Sequence, residues 1–286
     1  MEEIQFKKVI TAKHKLFDLK LKEVFEYRDL IKLFVKRNFI AQYKQTILGP
    51  AWAVIQPLLT TVVFTLVFGS VAGLASCGRV PQFLFYLLGT VSWQFFNGCL
   101  VQTSNTFIAN ANIMGKVYFP RLVVPISTAL TQLISYFIQM AMFFVFYVIY
   151  SFNDGYVYGA TECWWILPLS VVQIGILGMG CGIIISSLTT KYRDLAMLVT
   201  FGMQLWMYGT PVAYSLSIFE GSLLYKVMLL NPMTPIIQGI RYGLLGSEAG
   251  SFMGIEYVIS WGITLIVLIT GILVFSKVEK NFMDTI

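Results

Sequence analysis

Charged residues are scarce in this chain: Asp, Glu, Lys and Arg together make up 12% of its 286 residues. Soluble proteins carry about a quarter. Apolar residues make up 57% of the chain, and a water-soluble fold cannot hide that much apolar surface, because its exterior is already more than half apolar. The composition therefore excludes a cytosolic enzyme, a disordered chain and a disulfide-stapled secreted domain. We predict a protein whose solvent is lipid.

Groups for catalysis and metal binding are also few. The single histidine, His14, lies in the polar N-terminal segment, and the four cysteines show no Cys-x-x-Cys spacing. No G-x-x-x-x-G-K-S/T string occurs. We therefore expect no catalytic residue, metal site or cofactor in this chain, and no P-loop for ATP. Cys77 and Cys163 fall in predicted outer loops, where they could pair in principle, but free thiols are the default expectation.

The same scarcity of charge leaves six uncharged windows of at least twenty residues: 45–78, 80–115, 122–153, 163–190, 195–219 and 257–276. About twenty apolar residues cross the hydrocarbon of a membrane as a helix. The windows are continuous apolar runs and not short alternating strands, which favours helices over a barrel. We predict an all-α integral membrane protein. Its six transmembrane helices are expected at about 50–72, 83–106, 122–150, 165–188, 196–215 and 257–276.

Basic residues set the expected orientation and domain limits. With the N-terminus inside, seventeen of the twenty Lys and Arg residues fall on the inner side, so both termini are predicted to be cytoplasmic. Residues 1–48 form an N-terminal tail with an amphipathic helix, 49–276 a transmembrane domain, and 277–286 a short cytoplasmic tail. Because the positive charge is concentrated at the membrane face, it indicates no nucleic-acid partner.

The segment 227–247 is apolar but carries Pro232, Pro235, Gly239 and Arg241. Prolines three residues apart and a central arginine fit two short helices that dip into the outer face better than a seventh span. A seventh span would put the C-terminus outside, and the balanced charges of the C-terminal tail argue only weakly against it.

An amphipathic helix is predicted between Val24 and Tyr43. Its apolar side gathers Val24, Tyr27, Leu30, Ile31, Phe34 and Val35. Arg28, Lys32 and Lys36 recur beside them at four-residue spacing. This pattern suits a helix that lies along the inner headgroup surface, with its basic side towards anionic lipid. The alternative is an amphipathic helix that packs only on protein.

The six windows hold no charged residue, whereas ion-driven transporters usually place one inside a span. They do hold uncharged polar residues: Gln56, Asn97, Gln102, Gln132, Gln139, Gln173 and Gln204. Such groups either line a wet path for a hydroxyl-rich cargo or join helices by hydrogen bonds, and helix joining is favoured for any single residue. Aromatic residues such as Trp93 and Phe96 fit an interfacial belt or core packing, or stacking platforms for sugar rings.

Gly178 and Gly182 form a G-x-x-x-G face that lets two helices approach closely. The pattern predicts tight packing, either within the chain or between two copies of it.

Four segments in order resemble one family. The run YRDLIKLFVKRNFIAQYKQTILGPAWAVIQPLL, residues 27–59, resembles the start of the permease subunits of type-2 ATP-binding-cassette (ABC) exporters that move lipid-linked polysaccharides, such as O-antigen, capsule and teichoic acid. Three further segments resemble the same family: NANIMGKVYFPRLVVPIS (110–127), LTTKYRDL (188–195) and NPMTPIIQGIRYGLLG (231–246). The resemblance extends from about Tyr27 to Ser276.

The resemblance implies a homodimer in the bacterial plasma membrane, with two copies of a separate ATPase subunit that binds ATP and Mg²⁺. It also implies two inner contacts with that ATPase. The residues it assigns to them are Lys116 and Arg121 in the loop between spans two and three, and Lys191, Tyr192, Arg193 and Asp194 between spans four and five. The alternative for both clusters is orientation by the positive-inside rule alone.

The amphipathic segment resembles the interface helix of the family, with Arg28, Lys32, Phe34 and Lys36 as its marked residues. Residues 231–246 resemble its outer re-entrant gate helices. There Pro232, Pro235 and Gly239 would shape the gate. Arg241 would lie near the outer headgroups, where it could meet a phosphate, or it would be solvated or lipid-facing.

The expected function is a permease that exports a lipid-linked polysaccharide along a path for which Gln132, Gln139, Trp93 and Phe96 are the candidates. A related permease for a drug, a lipid or another small cargo is the alternative. A membrane-embedded enzyme or an ion-driven transporter is disfavoured, because catalytic carboxylates and charges within the spans are missing.

Overall fold

A computed structural model of the chain describes residues 21–44, 46–71, 78–114, 116–117, 119–155, 157–159, 163, 165–189, 192 and 194–281. These residues form helices, turns and loops without a β-strand. The helices are α1 Leu21–Glu26, α2 Arg28–Tyr43, α3 Trp52–Phe64, α4 Gln82–Ser104, α5 Thr106–Met114, α6 Val123–Asp154, α7 Ile166–Thr189, α8 Leu195–Tyr208, α9 Leu223–Leu229, α10 Met233–Leu245 and α11 Gly254–Asn281. Short 3-10 turns cover Gly49–Ala51 and Leu216–Phe219, and a π-helical turn, Thr65–Val71, follows α3.

Five helical stretches in the described part of the chain are long and apolar enough to cross a membrane: Gly49–Gly69, Gln82–Ser104, Val123–Asp154, Ile166–Thr189 and Gly254–Lys277. They coincide with five of the six predicted spans. The predicted span 196–215 is the exception, because its helix α8 ends at Tyr208 after 14 residues. Such a helix rises only about 21 Å, whereas the hydrocarbon is roughly 30 Å thick. Gly209 and Pro211, which both disfavour helix, follow it directly.

Two short helices, α9 and α10, lie between α8 and α11. Pro232 directly precedes α10 and Pro235 lies in its first turn, where a missing backbone N–H costs no helical hydrogen bond. Because α10 has only 13 residues, it is too short to be a seventh span.

Helix α4 is the centre of the structure. In its most apolar window 78% of the residues are buried, against 22% in the windows of α3 and α11. A helix that is apolar on all sides is suited to such a position, because it has no polar face to keep in water. Helices α3, α6, α7, α8 and α10 pack around it.

The G-x-x-x-G face of α7 packs within the chain, against α4. A Cβ atom placed on Gly178 would lie 2.7 Å from the Cβ atom of Cys99. One on Gly182 would lie 2.6 Å from the Cβ atom of Thr103. Since real Cβ atoms do not approach so closely, both positions need glycine. Of the two partners that the sequence allowed for this face, the structure therefore selects a helix of the same chain.

Helix α2 runs along α6. The ring of Phe34 lies 5.8 Å from that of Phe119, just before α6, and the Tyr43 hydroxyl lies 3.4 Å from Ser135 Oγ, well inside α6. The apolar side of α2 thus packs on protein, which the sequence left as the alternative reading. Its basic side, with Arg28, Lys32 and Lys36, is exposed.

The described cysteines carry free thiols, and Cys163 is one of them. Cys77 lies outside the described residues. The default expectation of a free thiol therefore holds for Cys163.

Candidate functional site

A polar cavity of about 440 Å³ opens between α2, α3, α4 and α6. None of the described residues that line it is charged. Its lining includes six carboxamide side chains: Gln42, Gln56, Gln94, Asn97, Gln132 and Gln139. A carboxamide both donates and accepts hydrogen bonds, so the cavity offers many partners to a hydroxyl-rich molecule and no fixed charge.

The cavity begins at the start of α3, beside Trp52, and reaches the middle of α4 at Gln94. Measured along α4, Gln94 lies about 18 Å from Gln82 at one end of the helix and about 15 Å from Ser104 at the other. This depth is close to the midplane of a bilayer whose hydrocarbon is roughly 30 Å thick. Polar groups at that depth are costly unless they find partners, which makes their concentration here informative.

Hydrogen bonds fix part of the lining. Gln139 Nε2 donates to Gln94 Oε1 at 3.3 Å, which joins α6 to α4. Gln132 is 93% buried, and its Nε2 atom has no hydrogen-bond partner among the described residues. A buried donor without a partner costs free energy. A bound water or ligand oxygen that reached it would recover that cost.

The candidates for a polar path separate into two groups in the structure. Gln132 and Gln139 line the cavity together, as predicted for one face of α6. Trp93 and Phe96 do not line it. Their ring centroids lie 6.4 Å and 5.3 Å from that of Trp206 on α8, and only 4% and 0% of their surfaces are exposed. Both rings are core residues between α4 and α8, outside this cavity, and their role on the path stays a prediction.

Gln173 takes the helix-joining role instead. Its Nε2 atom donates to Ser260 Oγ at 2.8 Å and lies 3.4 Å from Thr264 Oγ1. These contacts tie α7 to α11 on the side of the structure away from the cavity lining. Glutamines in similar apolar windows therefore have different roles: Gln132 and Gln139 line the cavity, and Gln173 joins two helices.

Sequence reasoning missed Gln94 and Gln42 as lining residues. Gln94 lies three positions before Asn97, so that both fall on one face of α4, and this spacing was the available signal. Gln42 falls in the basic N-terminal segment, outside every uncharged window. Nothing in the sequence indicates that the end of α2 would close a cavity among the apolar helices.

Arg241 is not at a headgroup surface. Its side chain is fully buried, and its Nη1 and Nη2 atoms donate to the carbonyl oxygens of Pro211 at 2.6 Å and Val212 at 2.8 Å. The expectation of a phosphate-facing, solvated or lipid-facing guanidinium is therefore wrong. The turn that follows α8 supplies carbonyl groups that bind it inside the protein.

The other residues expected at the gate lie along the start and middle of α10. Pro232 and Pro235 are at its beginning. A Cβ atom on Gly239 would lie 3.2 Å from Ile166 Cγ2, so this glycine allows α10 to approach the beginning of α7.

Hydrogen bonds join the helices beside the two expected inner contact segments in pairs. Thr189 Oγ1, at the end of α7, donates to the carbonyl oxygen of Ser104 at the end of α4 at 3.0 Å. Arg37 Nη2 on α2 donates to Asn110 Oδ1 on α5 at 3.1 Å, and partial burial lowers the pKa of this guanidinium from its usual value. Sequence reasoning missed Arg37, which links the amphipathic helix to α5.

The charged and aromatic members of these segments are mostly at the surface. Lys116, Tyr192 and Asp194 are exposed, and Arg121 is half-buried. Lys191 and Arg193 lie outside the described residues. Exposed residues beside helices that are joined in pairs are able to contact another protein without disturbing the core.

The chain is similar over most of its length to proteins of one transporter family. Residues 29–245 match the family model described as ABC-2 type transporter. The chain is 27% identical over 259 residues to a Klebsiella pneumoniae protein named O-antigen export system permease protein RfbA, covering 90% of this chain and 94% of that one. It is 25% identical over 273 residues to a Myxococcus xanthus protein of the same name, covering 93% and 98%.

Proposed function

Because the chain belongs to the ABC-2 type transporter family, we propose that it is the permease subunit of an ATP-driven exporter that moves a lipid-linked polysaccharide across a bacterial plasma membrane. The observation that carries the choice of cargo is the amide-lined cavity, without a charged residue in its described lining, that reaches the middle of α4. The names of the relatives, which describe O-antigen export over nearly the whole length of the chain, support the same cargo class.

The chemistry of the cavity suits a sugar polymer. Carboxamides exchange hydrogen bonds with hydroxyl groups at little net cost, since each bond contributes only about 1 kcal/mol. Because the carboxamides are many, similar and weak as hydrogen-bond partners, successive sugar units can pass without any one of them being bound tightly. A cavity of about 440 Å³ is within the size range of small-molecule sites and therefore holds a short stretch of a polymer at a time.

The membrane topology of the proposal has six crossings with both termini in the cytoplasm. In it, α8 and the following turn to residue 215 make the fifth crossing, and α9 and α10 are re-entrant helices at the outer face. The support is the positive-inside rule: with the N-terminus inside, all Lys and Arg residues except Arg79, Lys226 and Arg241 would fall on the inner side. A broken helix inside a membrane is tolerated where protein satisfies its backbone, and Arg241 does this for the turn after α8.

Energy comes from outside this chain in the proposal. Two copies of a separate ABC ATPase subunit, with ATP and Mg²⁺, dock on a homodimer of this permease through the loops around Lys116 to Arg121 and Lys191 to Asp194. The hydrogen bonds from Arg37 and Thr189 support a coupled role, because α5 and α7, which lead into the two loops, are joined by them to α2 and to α4. The exposed basic side of α2 then lies where the anionic lipid carrier enters from the inner leaflet.

Paired substitutions in the cavity test the cargo path. Gln132→Leu with Gln139→Leu removes two carboxamides at nearly constant volume. Loss of the hydrogen bond from Gln139 to Gln94 costs about 1 kcal/mol, and removal of the Gln132 donor, which has no partner among the described residues, offsets part of that cost. We expect export of the polysaccharide to fall about tenfold, which corresponds to one or two lost hydrogen bonds. The measurement is surface polymer on cells that carry only the variant, normalised to permease in the membrane.

Gln204→Leu is the matched control, because Gln204 is exposed on α8 and should be neutral. Unchanged export by the double variant would remove the cavity from the path. Normal surface polymer in cells without the chain would contradict the cargo itself. ATP-dependent efflux of a drug or lipid by the same cells would then favour the small-cargo alternative.

A further inference from the structure

Arg241 is the largest fully buried side chain among the described residues. Taking a guanidinium group out of water costs several kcal/mol unless its donors are hydrogen-bonded and its charge is balanced. A buried arginine in a membrane protein therefore needs a built environment, and the residues around Arg241 supply one.

Three carbonyl oxygens from two elements surround the guanidinium. Nη1 donates to Pro211 O at 2.6 Å, and Nη2 donates to Val212 O at 2.8 Å and to Phe85 O at 3.4 Å. The Cζ atom also lies 3.5 Å from the ring centroid of Phe85, within the range of a cation–π contact. Arg241, on α10, is thus bound at once to α4 and to the turn after α8.

The turn after α8 depends on α10 for its hydrogen bonds. Helix α8 ends at Tyr208, and the carbonyl groups that follow have no helix to bind them. Each of four successive carbonyls nevertheless has a donor: Gly209 O from Asn231 Nδ2 at 3.2 Å, Thr210 O from Val212 N at 2.6 Å, Pro211 O from Arg241 Nη1 and Val212 O from Arg241 Nη2. Three of the four donors are side chains of α10 or of Asn231, which accepts from the backbone N–H of Met233 at its start.

A glycine on α4 leaves space that the guanidinium occupies. A Cβ atom on Gly89 would lie 2.5 Å from Arg241 Nη2 and 3.2 Å from Val212 O. The surface of α4 is therefore shaped for this side chain.

The neighbouring short helix is held much less firmly. Eleven of the thirteen residues of α10 are buried, whereas none of the seven residues of α9 is. Its contact with the turn is slight, a hydrogen bond of 3.8 Å from the Tyr214 hydroxyl to Met228 Sδ.

We propose that Arg241 anchors α10 to α4 and to the turn after α8, so that of the two outer helices only α9 moves during transport. The anchoring follows from contacts within this chain. The movement of α9 rests on the proposed function, in which the outer helices form a gate.

Hydrogen exchange of the purified full-length chain in lipid nanodiscs tests the anchor. In Arg241→Met, the backbone amides of Gly209, Thr210, Val212 and Ala213 should exchange at least tenfold faster than in the unchanged chain, because their turn loses two hydrogen-bond donors and packs on an apolar side chain. Pro211, between them, has no amide hydrogen. Lys226→Met is the matched control, since Lys226 is exposed on α9 and its loss should leave the same amides unchanged. Unaltered exchange in Arg241→Met would overturn the anchor.

A milder pair keeps the proposal testable if Arg241→Met does not fold. Gly89→Ala pushes only on the guanidinium and Val212 O, whereas Gly202→Ala adds a methyl group into open space. We expect faster exchange of residues 209–213 in Gly89→Ala and unchanged exchange in Gly202→Ala. Equal protection in the two alanine variants would overturn the anchor independently.

The proposed movement of α9 is tested in the complex with the ATPase. On addition of ATP, exchange should change in 223–229 and stay constant in 233–245. An equal change in both helices would overturn the movement. Failure to isolate any ATPase complex would instead count against the proposed function and leave the anchor as measured in the isolated chain.

Discussion

Gln173 and Gln132 are both buried in apolar helices, but only Gln173 has its amide nitrogen bound by a neighbouring helix. Their sequence surroundings are alike, and the sequence favours helix joining for each. The difference is what lies across from them: α11 supplies hydroxyl groups to Gln173, and a cavity faces Gln132. At the scale of residues, the chemistry of a side chain is readable from sequence, whereas its partner is not.

Glycine 182 gives the most direct stability test at this scale. Gly182→Ala should destabilise the protein by about 1–3 kcal/mol, because the new Cβ atom would lie 2.6 Å from Thr103 Cβ and 2.8 Å from the carbonyl oxygen of Leu100. Backbone at that distance cannot move aside cheaply. Thermal unfolding in detergent measures the effect.

The matched control is Gly262→Ala on α11, where the added methyl group meets no atom within 4 Å. It should be neutral or stabilising by up to about 1 kcal/mol, the helix propensity difference between glycine and alanine. If Gly182→Ala unfolds at the same temperature as Gly262→Ala, the close packing of α7 on α4 is contradicted.

Trp93 and Arg241 mark the limit of sequence reasoning for residues. An aromatic ring near the end of an apolar window fits a belt, a core or a sugar platform equally well, and only the presence of Trp206 across from Trp93 decides for the core. A lone arginine in an apolar segment suggests a headgroup. Its carbonyl partners come from a turn thirty residues earlier in the chain, which no local pattern indicates.

At the scale of elements, long uncharged windows predicted five spans well, because hydrocarbon thickness fixes the length of a crossing helix. They overestimated the length of α8, which ends at Tyr208. An uncharged window does not show that Arg241 binds the carbonyl groups of the turn that follows. The amphipathic pattern likewise predicted α2 and its exposed basic side. It did not reveal that the apolar side packs along α6, because protein and lipid are equally good partners for an apolar face.

The loop between α7 and α8 is one of the two proposed contacts with the ATPase. Tyr192→Ala with Asp194→Ala should leave folding within about 0.5 kcal/mol of the unchanged chain, since both residues are exposed. The same variant should lower export severalfold, because the loop loses contacts to the ATPase while remaining joined to α4 through Thr189. Surface polymer and the amount of co-purified ATPase are the two measurements.

Glu220→Ala is a suitable control for that loop, because Glu220 is also exposed but lies near α9 at the opposite end of the helices. We expect this variant to export normally. Full export and normal ATPase recovery in the Tyr192 and Asp194 variant would remove these two residues from the coupling surface.

At the scale of the whole molecule, the charge distribution is consistent with an energy source outside the chain. The predicted spans lack the charged groups that couple ions to transport, and seventeen of the twenty basic residues fall on the side predicted to be cytoplasmic. The structure adds that α7 is joined to α4 and that α2 is joined to α5. A displacement of α5 would therefore be transmitted to α2 and from α2 to α6, which carries two of the cavity glutamines.

Reconstitution tests the central claim most directly. The chain and its co-purified ATPase are placed in liposomes with a lipid-linked polysaccharide in the outer leaflet, and protection of the polymer from an added glycosidase is followed after ATP addition. We expect protection to require ATP and to be lost in the Gln132→Leu, Gln139→Leu variant. Polymer that stays fully digestible with ATP, or protection that an uncoupler abolishes while ATP depletion does not, would contradict an ATP-driven polysaccharide permease.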